Sequence, residues 1–164
     1  MSELSDNAKK TIAEHLPRYP SKQAVTLPAL HVVQQEKGCV SSKSIQEIAD
    51  LLELSPAQIN DTLSFYGFFR SEENPLGQKR IWVCRSLPCM LRGGEELLAE
   101  LCQRWGISPG ETTADGKVTL ELAECLGACD GAPCILVDDE LQLRVSADDV
   151  EKIADHPKSL GARS

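Results

Sequence analysis

Arg80-Ile-Trp-Val-Cys84-Arg-Ser-Leu-Pro-Cys89-Met-Leu-Arg-Gly-Gly94 decides the fold, and Glu124-Cys-Leu-Gly-Ala-Cys129 answers it further along the chain. The apolar run from Arg80 to Cys84 reads as a short strand that opens into a loop. From Glu95 to Trp105 the period becomes helical, with Leu97, Leu98, Leu101 and Cys102 on one side and Gly106 closing the helix. Val118 to Leu122 alternates, as a half-buried strand does, and the second cysteine pair follows it directly. A C-x4-C pair and a C-x3-C pair therefore each stand where a strand ends in a loop. Such loops can present thiolates and backbone N–H groups together.

Outward from the second pair, Ile135 to Val137 and Leu141 to Val145 flank Asp138-Asp-Glu140, which predicts a hairpin. Ser146 caps a last helix holding Val150 and Ile153. The order strand, helix, strand, strand, strand, helix predicts an α+β sandwich. Gly127 and Gly131 would let the backbone approach a bound group closely. Arg92-Gly-Gly94 is too short for a phosphate loop and reads as a turn into the helix.

Upstream, the chain reads as four short helices. Ser5 caps one carrying Ile12 and Leu16, stopping at Pro17. Thr26 and Pro28 open a second that ends at Gly38. Ser44-Ile-Gln-Glu47 has the capping-box pattern, with Ile45, Ile48, Ala49 and Leu52 at helical spacing. Ser55-Pro-Ala-Gln58 supplies another start, and Ile59, Leu63 and Tyr66 continue it toward Gly67. The polar stretch from Ser71 to Gly77, which holds Pro75, changes the pattern. The predicted domains are thus a helical bundle over 1–72 and a cysteine-bearing domain over 73–164.

Composition narrows the function. The 164 residues are 41% hydrophobic and 26% charged, enough for buried cores, with aromatics at only 4%. A net charge of −8 argues against a nucleic-acid backbone as partner. Between Asp115 and Asp155 eleven acidic residues face three basic ones, which reads as a solvated face or as a docking surface for a basic partner. No apolar run approaches the roughly 18 residues of a membrane span, and the start lacks an apolar secretory core. The expectation is a soluble, cytoplasmic chain without direct membrane insertion.

Seven cysteines in such a chain make a disulfide framework a poor reading and bring metal or cluster binding forward. A thiolate-held cluster is an anion and needs hydrogen bonds to sulfur and nearby positive charge, here Arg85 and Arg92. Structural zinc favours C-x2-C knuckles and a redox dithiol favours C-x-x-C; neither spacing is present. Of the plant-type ferredoxin spacing only the C-x4-C half occurs. His15, His31 and His156 lie far from both pairs and read as ordinary helix or surface residues. Cys102 reads as core, and Cys39 as packing. Cys134, beside Pro133 at a strand start, is expected to pack, with a reserve-ligand role as the alternative.

At these residues the sequence resembles a known family. Cys84 to Gly94, then Glu124-Cys-Leu-Gly-Ala-Cys-Asp-Gly-Ala-Pro133, look like the two halves of the thioredoxin-like [2Fe–2S] ferredoxin signature. Pro28-Ala-Leu-His-Val-Val-Gln34 and Thr62-Leu-Ser-Phe-Tyr66 resemble the helical part of the small flavoprotein-associated subunit of NADH:quinone oxidoreductase (the E-type subunit of complex I). The resemblance spans roughly residues 15 to 155. It implies a [2Fe–2S] cluster on Cys84, Cys89, Cys125 and Cys129, and a thioredoxin-like domain behind a helical one. It also implies a larger partner subunit binding NADH and FMN within a peripheral redox arm, which would place the chain at the inner membrane only as part of a complex. In that complex the cluster lies off the main electron path and takes one flavin electron transiently. Related subunits serve NAD-dependent hydrogenases and formate dehydrogenases. The chain is then an electron carrier with no NADH or flavin site and no catalytic residue of its own, and the oxidoreductase activity belongs to the assembly.

Two other classes compete. Ile45 to Tyr66 could pass for a DNA-binding helix-turn-helix, but Ser44 to Tyr66 holds four acids and no Lys or Arg, which removes the phosphate contacts such binding needs. A stand-alone soluble ferredoxin is the second. The helical region argues against it, because a carrier needs no such extension to hold its cluster.

Overall fold

The computed structural model describes residues 3–149 and Ile153. They form two compact units that divide between Pro75 and Leu76.

The first unit is helical. Helix α1 (Asp6–His15) starts at Ser5, whose Oγ accepts from the Ala8 N–H, and Leu16–Arg18 continue it as a 3-10 turn. Helix α2 (Thr26–Lys37) ends at Gly38, which takes φ +77°, a conformation that glycine adopts without a Cβ penalty. Helices α3 (Ser42–Leu52) and α4 (Pro56–Phe65) complete the bundle. At the helix start predicted at Ser55, a capping box between Ser55 and Gln58 forms. The one predicted at Ser44 and Glu47 does not. Ser41 is the N-cap of α3, its Oγ accepting from the Ser44 N–H at 2.9 Å, and Ser44 is buried inside the first turn. Glu47 instead accepts from the N–H groups of Glu3 and Leu4, tying the N-terminal segment down. Ile12, Leu30, Val33, Ile48, Leu52 and Ile59 fill the core with no exposed surface. Each such side chain stabilises the unit by about 1.5–3 kcal/mol of apolar burial. Buried Gln34 clamps the segment after α4, donating to the Phe68 carbonyl at 2.9 Å and accepting from the Arg70 N–H.

The second unit is a four-stranded sheet in the order β2-β1-β3-β4 with helices between its first two strands. Strand β1 (Lys79–Cys84) runs parallel to β2 (Val118–Ala123) and antiparallel to β3 (Cys134–Val137), which pairs antiparallel with β4 (Glu140–Leu143). Between β1 and β2 come a single turn, α5 (Leu87–Met90), and α6 (Gly94–Trp105). Leu97 and Leu101 of α6 pack on Ile81, Leu120 and Ile135.

β2 departs from the half-buried reading: Thr119 and Glu121 are buried along with Val118 and Leu120. The segment 110–113 covers it, with Gly110 N–H on the Leu120 carbonyl (2.7 Å), and Glu121 pairs with Arg80. At the predicted last helix, Ala147–Asp149 form a 3-10 turn and Ile153 is helical and buried; Val150 lies outside the described residues.

Candidate metal centre

The parallel pairing of β1 and β2 sets Cys84 opposite Ala123. The loops leaving the two strands therefore start side by side at one end of the sheet. The Arg85 N–H donates to the Ala123 carbonyl at 2.9 Å. The Arg85 guanidinium pairs with the Glu124 carboxylate, and the Ser86 hydroxyl donates to the Glu124 carbonyl. Arg85 is thus engaged with the second loop.

Cys89 is held by a local device. Ser86 precedes α5 in an extended conformation, Pro88 lies in the first turn, and the Cys89 N–H bonds the Ser86 carbonyl at 2.9 Å. Gly94 packs beneath this turn so closely that a Cβ there would lie 2.8 Å from the Cys89 carbonyl oxygen. Cys84 and Cys89 are 3% and 1% exposed, in a small cluster with Ala128, Ala132 and Cys134.

The sulfurs of Cys84, Cys89 and Cys134 lie within 4.8 Å of one another, with 3.7 Å between Cys89 and Cys134. Cys125 and Cys129 are exposed on the second loop. Gly127, at φ +74°, turns its N–H onto the Cys125 Sγ at 3.4 Å. Gly131 serves packing, since a Cβ there would meet the Leu143 side chain at 2.8 Å.

Electrostatics tie the two loops together. Burial opposes the Cys84 thiolate, yet N–H donation from Leu126 and Ser86 and contact with Cys89 and Cys134 outweigh it, so its pKa falls below the ordinary thiol value. Leu126 lies between Cys125 and Cys129, so the second loop supplies part of that stabilisation. Burial pushes Cys89 up, and the charge of Cys84 adds to this. Partial desolvation raises Cys129, followed by the negative charge of Cys125, Cys89 and Cys84. Burial and its two sulfur neighbours push Cys134 up to about 12. The first pair thus acts on Cys129 of the second loop through charge.

Other sequence-marked residues sit elsewhere. Cys102 is half-buried against the sheet core. Cys39 follows α2 in the helical unit, its thiol raised by burial and then by Glu72 and Glu3. His31 stacks on Phe68 with ring centres 5.2 Å apart, and His15 meets Tyr19 edge-on; His156 lies outside the described residues. Sequence reading puts Cys134 in the packing, where it is, with a reserve-ligand role as the alternative; its sulfur joins the Cys84–Cys89 pair. The signal was the strand start itself: the antiparallel register of Val83 with Ile135 brings Cys134 beside Cys84.

A profile of the thioredoxin-like [2Fe–2S] ferredoxin family matches residues 12–158. The chain belongs to that family. It is 38% identical to the NADH-quinone oxidoreductase subunit 2 of Thermus thermophilus, covering 82% of this chain and 75% of the relative. It is 36% identical to the E-type subunit of the same oxidoreductase in Aquifex aeolicus (84% and 85% covered), and 34% to that of Pseudomonas aeruginosa (92% and 89%). Among solved structures, an NAD+-reducing [NiFe]-hydrogenase in the air-oxidised state superposes with a TM-score of 0.69 at 26% identity. That match covers 79% of this chain and 22% of the hydrogenase chain, so this chain spans about a fifth of that protein.

Membership in the ferredoxin family fits the residues present. Cysteine thiolates are the donors that a [2Fe–2S] cluster takes, and the two loops bring backbone N–H groups from Ser86, Leu126 and Gly127 against sulfur. Among the described residues no helix is long and apolar enough to cross a membrane.

Proposed function

We propose that this chain is the one-electron carrier subunit of an NADH dehydrogenase module of the NADH:quinone oxidoreductase type. Its cluster ligands in this reading are Cys84, Cys89, Cys125 and Cys129. The observation that carries it is the register of Cys84 with Ala123, which starts both cysteine loops from neighbouring strand ends. The relatives named as subunits of NADH-quinone oxidoreductase, alike over most of their own length, supply the parent complex.

A bound [2Fe–2S] cluster supplies reversible one-electron storage without proton transfer. The chain's own residues make that possible. The N–H groups of Leu126, Ser86 and Gly127 offset the negative charge of the sulfurs. Burial of Cys84 and Cys89 excludes water from one side, and the exposed pair leaves the other side open to a donor. Leu87 and Leu91, 62% and 74% exposed, flank Cys89 with an apolar rim suited to a partner surface. That partner is the larger subunit that binds NADH and FMN, with the remaining subunits of a peripheral redox arm beyond it. The assembly is cytoplasmic and attaches to the inner membrane through other subunits.

A second reading, the diaphorase part of an NAD-dependent hydrogenase, is favoured by the superposition on the hydrogenase chain. Affinity purification of the tagged chain from its native cells separates the two. The first reading expects a flavin-containing partner in a preparation that reduces quinone with NADH. Hydrogen-dependent NAD+ reduction in that preparation would favour the second. The isolated chain should not oxidise NADH, and steady turnover without any flavoprotein would end the carrier reading.

A further inference from the structure

Cys134 is not among the four proposed ligands, yet its sulfur stands 3.7 Å from that of Cys89, and both side chains are 1% exposed. A thiolate bound to iron offers only lone pairs. Any hydrogen in that contact must then come from the S–H group of Cys134. The donor is fixed in place by its backbone. Cys134 opens β3 beside β1, with Val83 opposite Ile135. The turn before it is pinned by the Arg144 N–H on the Gly131 carbonyl (2.7 Å) and the Val145 N–H on the Pro133 carbonyl (3.0 Å).

We propose that the Cys134 thiol donates a hydrogen bond to the Cys89 sulfur and thereby holds the reduction potential of the cluster site above the value it would have without that donor. The inference rests on the reading that Cys89 ligates a [2Fe–2S] cluster. Its direction follows from charge. The reduced site carries one more negative charge than the oxidised one, so a donor aimed at sulfur stabilises the reduced form more. Little solvent reaches the contact to compete. Cys134 is a tuning residue here, one that touches a ligand and leaves the irons to others.

The test uses the full chain with its cluster, as wild type, Cys134→Val, Cys134→Ala and Cys134→Ser. Iron and sulfide content, an EPR-monitored redox titration and deuteron ENDOR after exchange into D2O are the readouts. Val fills the space without a donor, and Ser restores one. The expected result is unchanged iron and sulfide in all four. At the wild-type midpoint, the reduced-to-oxidised ratio should fall about two- to tenfold in the Val and Ala variants, as the loss of one hydrogen bond implies. Ser should restore it, and one coupled exchangeable deuteron, beyond those on the backbone N–H groups that face sulfur, should be present in wild type and Ser and missing from Val and Ala. An unchanged midpoint in the Val and Ala variants overturns the proposal. So does a shift that Ser fails to restore, since that would mark packing as the cause. Loss of the cluster from folded Val and Ala variants overturns it as well and makes Cys134 a ligand. A wild-type chain without a two-iron cluster would instead sink the functional reading on which this rests.

Discussion

The Cys84 sulfur lies 3.7 Å from the main-chain carbonyl oxygen of Glu124, so the loop of the first cysteine pair touches the loop of the second. The same Glu124 is gripped by Arg85 and Ser86. Neither loop belongs to a helix long enough to position it alone. Their alignment is inherited from the parallel pairing of β1 with β2, whose last pair is Cys84 with Ala123.

Ligand loss should be all-or-none where core loss is not. Cys125→Ala is expected to abolish the visible absorbance of the cluster in the purified chain, because it removes one of the four proposed ligands. Cys102→Ala should keep the full spectrum, since that sulfur packs against the sheet core. A normal two-iron content in Cys125→Ala would show the ligand assignment to be wrong.

Gly94 packs against the backbone of Cys89, one of the four proposed ligands. Alanine would ordinarily favour a helix over glycine by about 1 kcal/mol. At Gly94 its Cβ would press on the Cys89 carbonyl oxygen at 2.8 Å and the carbonyl carbon at 3.0 Å, both backbone atoms that cannot swing aside. Gly94→Ala should therefore lower iron per chain while far-UV circular dichroism stays as in wild type. Full occupancy would mean that the turn has slack.

The Arg80–Glu121 pair crosses from β1 to β2 with side chains only 16% and 7% exposed, and the guanidinium sits 4.4 Å from the centre of the Trp82 ring. Removing Arg80 alone leaves a carboxylate buried, which costs about 3 kcal/mol or more. Arg80→Ala should lower the urea midpoint sharply. The double variant Arg80→Met with Glu121→Leu should recover most of that loss, and an equal or larger loss in the double would contradict this account.

Asp115 carries a pH prediction. Its carboxylate accepts from the Thr113 hydroxyl at 2.7 Å and pairs with Lys117, and these hold its pKa down to about 2. Because the folded value lies below the ordinary carboxylate value, the contribution to stability is complete above that ordinary range and disappears as pH falls toward 2. A carboxyl NMR titration should give a midpoint near 2 in wild type and a higher one in Thr113→Val. Identical midpoints would remove Thr113 as the cause.

Much of this molecule could be read from residues with a local job. Gly38, Ser55 with Gln58, and Gly106 end or begin helices where the sequence says they should, because caps depend only on neighbours a few residues away. Ser44 misled because two serines compete three residues apart. Ser41 wins the cap, and Glu47 is drawn off to the backbone of Glu3 and Leu4, a tertiary contact that no local pattern encodes. β2 looked half-buried because alternation reports only side-chain polarity; its polar members are buried against Arg80 and the segment 110–113. Cys134 was legible as a packed residue, but its place among the sulfurs depends on strand order.

Iron and acid-labile sulfide analysis of the purified full chain, followed by EPR after dithionite reduction, tests the central claim most directly. Two irons and two sulfides per chain with a single spin-half signal are expected of four cysteines sharing one cluster. A single metal ion per chain with no sulfide and no such signal would contradict it.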